Sequence, residues 1–248
     1  MFSKDTKFGV EIECLIPSDL APRQGGYHNG IQIDGFPSGW NSQRDGSINC
    51  NLSGYTGVEI VSPVLKGEKG LTEVVAVFDW LTEIGAKVNK STGLHVHVDG
   101  RSLDMTTIRR LVTRFKILES VFYSVNGETM SDRLENRYCK RSQDWFDDSG
   151  LLDRYQSLNL TNWMDTTRSQ KRTVEFRLFS GSLDAMHVVS IIHLCVGFVA
   201  MVVNGDDENV TDARSLSRIF RGTTYRIVPD APIYDVMLHT LHQIKKAR

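Results

Sequence analysis

Apolar and polar residues alternate from Lys7 to Ile16, and this period of two, in a stretch rich in β-formers, predicts a strand. Val58 to Ser62 reads the same way and is stopped by Pro63. Between them, Pro17 to Gly57 is rich in Gly, Asn and Ser, with short β-like pieces near Ile31–Ile33 and Ser47–Cys50. A stretch that long must hold a hairpin or a flap that covers a substrate. Glu68 to Ile84 has a helical period and ends at Gly85, a left-handed cap position.

Two further strands are predicted at Ala86–Asn89 and Gly93–Asp99, joined by a turn at Lys90–Thr92. Asp104 is placed to cap a helix running to about Val125, with Ile108, Leu111, Val112, Phe115, Leu118 and Phe122 on one face. Ser131 to Gly150 is polar and aromatic without a clear period. Tyr155–Leu160 and Arg172–Phe179 read as strands. An apolar helix follows from Ala185 to Val203, closed by Gly205, then short helices near Leu216–Phe220 and from Ile233 to Lys245. Hairpin-like strands mixed with helices predict an α+β fold with a largely antiparallel sheet. The chain is read as one catalytic domain over 1–248, with a motif-bearing core at 8–183 and a helical part at 184–248.

The strands are unusual in what they place on one face, where side chains at i and i+2 point together. Glu11 shares a face with Glu13, His95 with His97 and Asp99, and Glu175 with Arg177, while Glu59 stands between Val58 and Ile60. A half-solvated strand also alternates, but with Thr and Lys outward rather than carboxylates and imidazoles. Adjacent glutamates repel unless a cation lies between them, and oxygen donors with one imidazole suit Mg²⁺ or Mn²⁺. A hydrolytic zinc site on His95 and His97 is an alternative that needs no nucleotide, and a non-catalytic binding protein is another.

Charge and composition narrow the partners. A net charge of −1, with 40% hydrophobic and 24% charged residues, describes a globular chain with no general attraction for nucleic acid or membrane. The apolar stretch 185–203 is long enough to span a bilayer but reads as a buried helix, because His187, Ser190 and His193 interrupt it and no basic cluster flanks it. Four scattered cysteines and an N-terminus without a signal-peptide core predict a reducing, cytoplasmic setting.

The series FGVEIEC, GVEIVSPVL, TGLHVHVD, RYQSLNL and TVEFRLFSGSL resembles the amidoligase family, within the glutamine synthetase and glutamate–cysteine ligase group of carboxylate–amine ligases. The resemblance implies a curved sheet of glutamine synthetase-like catalytic fold, holding two or three Mg²⁺ ions and the phosphates of ATP. It implies that Glu13 and Glu59 hold an ion near the acceptor substrate, and that Glu11, His95 and Glu175 hold one between the phosphates. The group has a further carboxylate shortly before the Glu59 motif; here that place is Leu52, and Asp45 of RDGSI is the substitute.

The implied reaction is ATP-dependent amide formation from a small-molecule or peptide carboxylate and an amine, through an acyl phosphate. Arg177, then Arg154, are the choices for stabilising the transferred phosphoryl group. Asn159 is expected to touch substrate or tie down a loop, and His97 to support the ligands, act as a base or be purely structural. Arg137, Tyr138 and Cys139 are candidates to line the pocket, without a nucleophilic role for the thiol. Trp145 and Trp163 are read as packing residues, and His187 and His193 as helix residues without chemistry. An active site on an open sheet needs a flap or a neighbouring copy to exclude water, so a homo-oligomer is one expectation.

Overall fold

The computed structural model describes residues 3–21, 30–142, 153–165 and 171–220. Its strands are β1 (Lys7–Pro17), β2 (Ile31–Gln32), β3 (Asn41–Gln43), β4 (Tyr55–Val61), β5 (Leu65–Lys66), β6 (Gly93–Asp99), β7 (Leu158–Asn159) and β8 (Thr173–Ser180). The helices are α1 (Gly67–Glu83), α2 (Met105–Ser124), α3 (Met130–Leu134), α4 (Thr161–Met164), α5 (Ala185–Asn204) and α6 (Ala213–Phe220). The strands form one open sheet in the order β2-β3-β4-β1-β6-β8-β7, with β5 paired to β1. The ladders between these strands are antiparallel. The fold is α+β, as the element order predicts.

β1 sits at the centre because both its edges find partners, β4 on one side and β6 on the other. Its even positions Phe8, Val10, Ile12, Cys14 and Ile16 are buried in the apolar core with Val58, Ile60, Val96, Val98, Val174 and Phe176. Helix α5 packs on α1, α2 and β6. Phe115, Phe122, Phe176 and Phe198 form the aromatic centre of this layer; Phe122 stacks on Phe176 at 5.7 Å, and Phe198 meets all three others edge-on. The odd positions of β1 are thereby turned to the opposite face.

The helix ends follow the predicted chemistry. Asp104 accepts from the Thr107 amide at 2.7 Å, and Asp184 accepts from the amides of Met186 and His187. Gly85 and Gly205 both take left-handed conformations, with φ of 73° and 82°. Helix α5 is long and apolar enough to cross a bilayer, yet most of it lies inside the protein core.

Four predicted elements differ. Ala86–Asn89 makes only an isolated bridge between Lys87 and Leu15, because the Asn89–Thr92 turn follows at once. Ser47–Cys50 is irregular; the strand of that region is Asn41–Gln43, whose polar residues carry no alternation to betray it. Tyr155–Leu160 contracts to Leu158–Asn159, and part of the aperiodic stretch from Ser131 continues the short helix α3. Trp145 and the helix expected at 233–245 lie outside the described residues.

The aromatic centre should dominate stability. Phe198→Ala should lower the unfolding free energy by about 3–5 kcal/mol, measured by chemical denaturation of the ion-free protein.

Candidate functional site

Antiparallel register turns separate strand pairs into rows across the polar face. Glu13 stands opposite Glu59, and Glu59 opposite Gln43 of β3. Glu11 stands opposite His95; one row further, Gly9, His97, Glu175 and Asn159 are successive partners on β1, β6, β8 and β7. Strand alternation keeps Phe176 in the core while Glu175 and Arg177 face the site, and a register shift between Leu94 and Val96 then pairs Leu94 with Phe179. Glu13, Glu59, His95, Glu175, Arg177 and Asn159 are all buried, and Glu11 is partly exposed.

His95 is the hub. Its Nδ1 lies 2.9 Å from Glu11 Oε2 and 3.8 Å from Glu175 Oε1, and its Nε2 lies 3.7 Å from Glu13 Oε1. Two groups of three donors result, Glu11–His95–Glu175 and Glu13–Glu59–His95, each with ligand atoms within 4.8 Å of one another. Oxygen-rich sets with a single imidazole fit a hard divalent cation and lack the thiolates of structural zinc. One group has the composition that the family resemblance implies, the other joins Glu13 and Glu59 to His95 as well, and the chemistry of the donors suits a divalent cation.

The neighbours hold these ligands in place. His97 Nε2 lies 3.1 Å from Glu11 Oε1, and its Nδ1 lies 3.3 Å from Thr173 Oγ1. Asn159 donates to Glu175 Oε2 at 2.7 Å while its carbonyl oxygen accepts from the Thr161 amide and hydroxyl. Arg177 Nη1 donates to Glu175 Oε1 at 2.5 Å, and Gln43 donates to Glu59. The Gly93 amide donates to Glu13 Oε2 at 2.6 Å.

Electrostatics divides the carboxylates. Burial alone would raise Glu11, but His97 and His95 hold it well below the usual carboxylate range. Burial raises Glu13, with Asp45 adding repulsion and His95 and Arg133 opposing it. Burial and repulsion from Glu11, Asp45 and Glu13 push Glu59 up to about 9, against the bond from Gln43. Burial lowers His97, and Glu11 and Glu175 more than reverse this. Asp45, partly buried with its Oδ1 accepting from the Ser47 amide, is therefore close enough to repel Glu13 and Glu59. The three-donor groups form without it.

Arg154 stands apart: it is exposed, with its guanidinium over the ring of Tyr155. Tyr155 packs edge-on against Tyr138, which Arg137 covers in turn. Cys139 is buried, its thiol raised by burial and donating to the Arg133 carbonyl, an inert setting. Trp163 is buried and donates to the Gly100 carbonyl, a packing role. Burial holds His193 down at about 4 within α5.

Three polar residues escaped the sequence reading. Gln43 lies in a strand without alternation, and Arg133 in a segment without a period. Glu119 carried a signal: it falls on the apolar face of α2, where it accepts from the Ser142 amide at 2.7 Å and the Ser157 hydroxyl at 2.5 Å.

A family model described as "putative amidoligase enzyme" matches residues 4–153. The chain belongs to the amidoligase family. The matched region contains β1, β4 and β6, which carry Glu11, Glu13, Glu59 and His95 of the two donor groups. No curated protein matches the chain.

A pH dependence follows from Glu59. Its folded pKa of about 9 exceeds the ordinary 4.5, so the folded state holds a proton that the unfolded state has lost. Without divalent ions, stability should be fullest below about pH 4.5 as far as this group is concerned and decline as pH rises toward 9. Glu59→Gln should flatten that decline and raise the melting temperature at pH 8 by at least about 2 °C, read by thermal unfolding in chelator.

Proposed function

We propose that the chain is an ATP- and Mg²⁺-dependent carboxylate–amine ligase of glutamine synthetase-like fold, forming an amide bond through an acyl phosphate. The observation that carries this reading is the pair of three-donor groups sharing His95. Two adjacent cation sites suit a reaction in which polyphosphate charge moves between an attacking and a leaving oxygen. A pocket of about 500 Å³ opens beside Glu11 and His97, with Lys7, Arg101 and Lys171 among its lining and Val61, Pro63 and Val64 on its apolar side. Its place next to the Glu11–His95–Glu175 group supports a nucleotide lying there with its phosphates toward that group.

In this reading Glu11, His95 and Glu175 hold the ion on the phosphate side, and Glu13, Glu59 and His95 the ion on the acceptor side. Bound Mg²⁺ would neutralise charge on the transferring phosphoryl group. A carboxylate oxygen attacks the γ-phosphorus, the bond to the bridging oxygen breaks, and ADP leaves. The amine nitrogen then attacks the acyl carbon, the carbon–oxygen bond breaks, phosphate leaves with the electron pair, and the nitrogen loses a proton. Arg177, buried and anchored by Glu175, presents a fixed positive charge that needs no rearrangement as the phosphoryl charge develops. His97 orients Glu11 from the side away from His95. Four free cysteines are compatible with the reducing, ATP-supplied cytoplasm that this reading requires.

The test is ADP release with Mg²⁺, ATP and a panel of amino acids, peptides and polyamines. Release should need a carboxylate and an amine together and stop when Mg²⁺ is removed. Glu13→Ala and Glu175→Ala should each reduce it at least about a hundredfold. Full activity in either variant, or turnover without ATP, overturns the assignment.

A further inference from the structure

Two arginines are buried on the polar face, and they are bonded differently. Arg177 spends its fork on protein groups, Nη1 on Glu175 at 2.5 Å and Nε on the Tyr138 carbonyl at 3.3 Å. Arg133 is only 3% exposed, yet among the described residues its side chain donates one hydrogen bond, from Nη2 to the Arg177 carbonyl at 2.5 Å. Its Nε is buried without a partner. Among the described residues no carboxylate oxygen approaches the guanidinium within 4.0 Å.

Its position is equally specific. A Cβ on Gly93 would lie 3.2 Å from Nη1, from Nη2 and from Glu13 Oε2 alike. The guanidinium and the Glu13 carboxylate therefore both border the space over a residue that has no side chain, without an N···O approach within 4.0 Å. A structural counter-ion would turn its fork onto Glu13, but Glu13 Oε2 accepts from the Gly93 amide and Oε1 faces His95. A buried guanidinium left with open donors is costly, and the planar fork matches a pair of oxyanion oxygens.

We propose that Arg133 is the oxyanion-binding residue of the Glu13–Glu59–His95 side, taking through the guanidinium N–H groups not spent on the Arg177 carbonyl the substrate carboxylate or the phosphoryl group that this carboxylate acquires. This rests on the ligase reading above. The site is then ordered along the sheet: the 500 Å³ pocket beside Glu11 and His97, the two donor groups, and Arg133 over Gly93 at the far end. Placing the oxyanion there sets it across His95 from the pocket, so the anion and the nucleotide approach the donor groups from opposite sides. Arg133 and Arg177 are coupled through the Arg177 carbonyl, so the anion contact and the Glu175 anchor share one backbone segment.

The probes are inorganic phosphate and acetate, added separately to protein loaded with Mn²⁺ and ADP, with binding read from ³¹P and ¹H line broadening. Wild-type protein should bind at least one of them. Arg133→Gln should weaken that binding about ten- to a hundredfold, and Arg133→Lys, which keeps the charge but not the fork, at least about fivefold. Both variants should still bind Mn²⁺–ADP, which engages the Glu11–His95–Glu175 group. Loss confined to phosphate assigns the phosphoryl group, and loss confined to acetate the carboxylate. Wild-type protein that binds Mn²⁺–ADP but neither oxyanion overturns the proposal, as does wild-type oxyanion affinity in the variants. Should Arg133→Gln fail to fold by thermal unfolding, Arg133→Lys alone decides. Wild-type protein that does not bind Mn²⁺–ADP overturns the ligase reading instead, and this inference with it.

Discussion

Mutual repulsion among buried carboxylates is the constraint on which this structure depends. Glu11, Glu13, Glu59 and Glu175 converge on a single imidazole, His95, with Asp45 adding its charge from the rim. Burial first, with repulsion from Glu11, Asp45 and Glu13 added, pushes Glu59 up to about 9. The fold offsets the strain with directed donors: the Gly93 amide for Glu13, Gln43 for Glu59, Asn159 and Arg177 for Glu175, both histidines for Glu11. These contacts bring the donor atoms of each group within 4.8 Å of one another.

The site is backed by what lies on the other side of the sheet. Each strand that presents a ligand also inserts an apolar residue into the core, and the same alternation serves both faces. Phe176 stacks on Phe122, while its neighbours Glu175 and Arg177 alternate to the other face. Core packing and ligand geometry are therefore one property of these strands. A disturbance of the aromatic centre reaches the site through β8 with no loop between.

Much of this is legible in the sequence alone. The i, i+2 pairs on β1, β6 and β8 placed Glu11, Glu13, His95, His97, Glu175 and Arg177 on one face by strand period alone, and Asp104, Gly85 and Gly205 announced the helix ends. Asp45 was chosen only by resemblance, and it stands beside Glu13 and Glu59. Gln43 and Arg133 were illegible because neither belongs to a periodic segment. Arg154 has the residue type for a phosphate contact, but it is exposed over a tyrosine ring.

By itself, then, the sequence determined which side chains each strand turns away from the core, because that depends only on a local period of two. Which of those side chains meet depends on strand order and register, and these are set by long-range packing. Glu13 faces Glu59 because β4 pairs with β1 across 46 positions of chain, and His95 reaches three glutamates because β6 lies on the other edge of β1. The open fork of Arg133 is a tertiary fact of the same kind, decided where a short helix lays its arginine over a glycine of another strand.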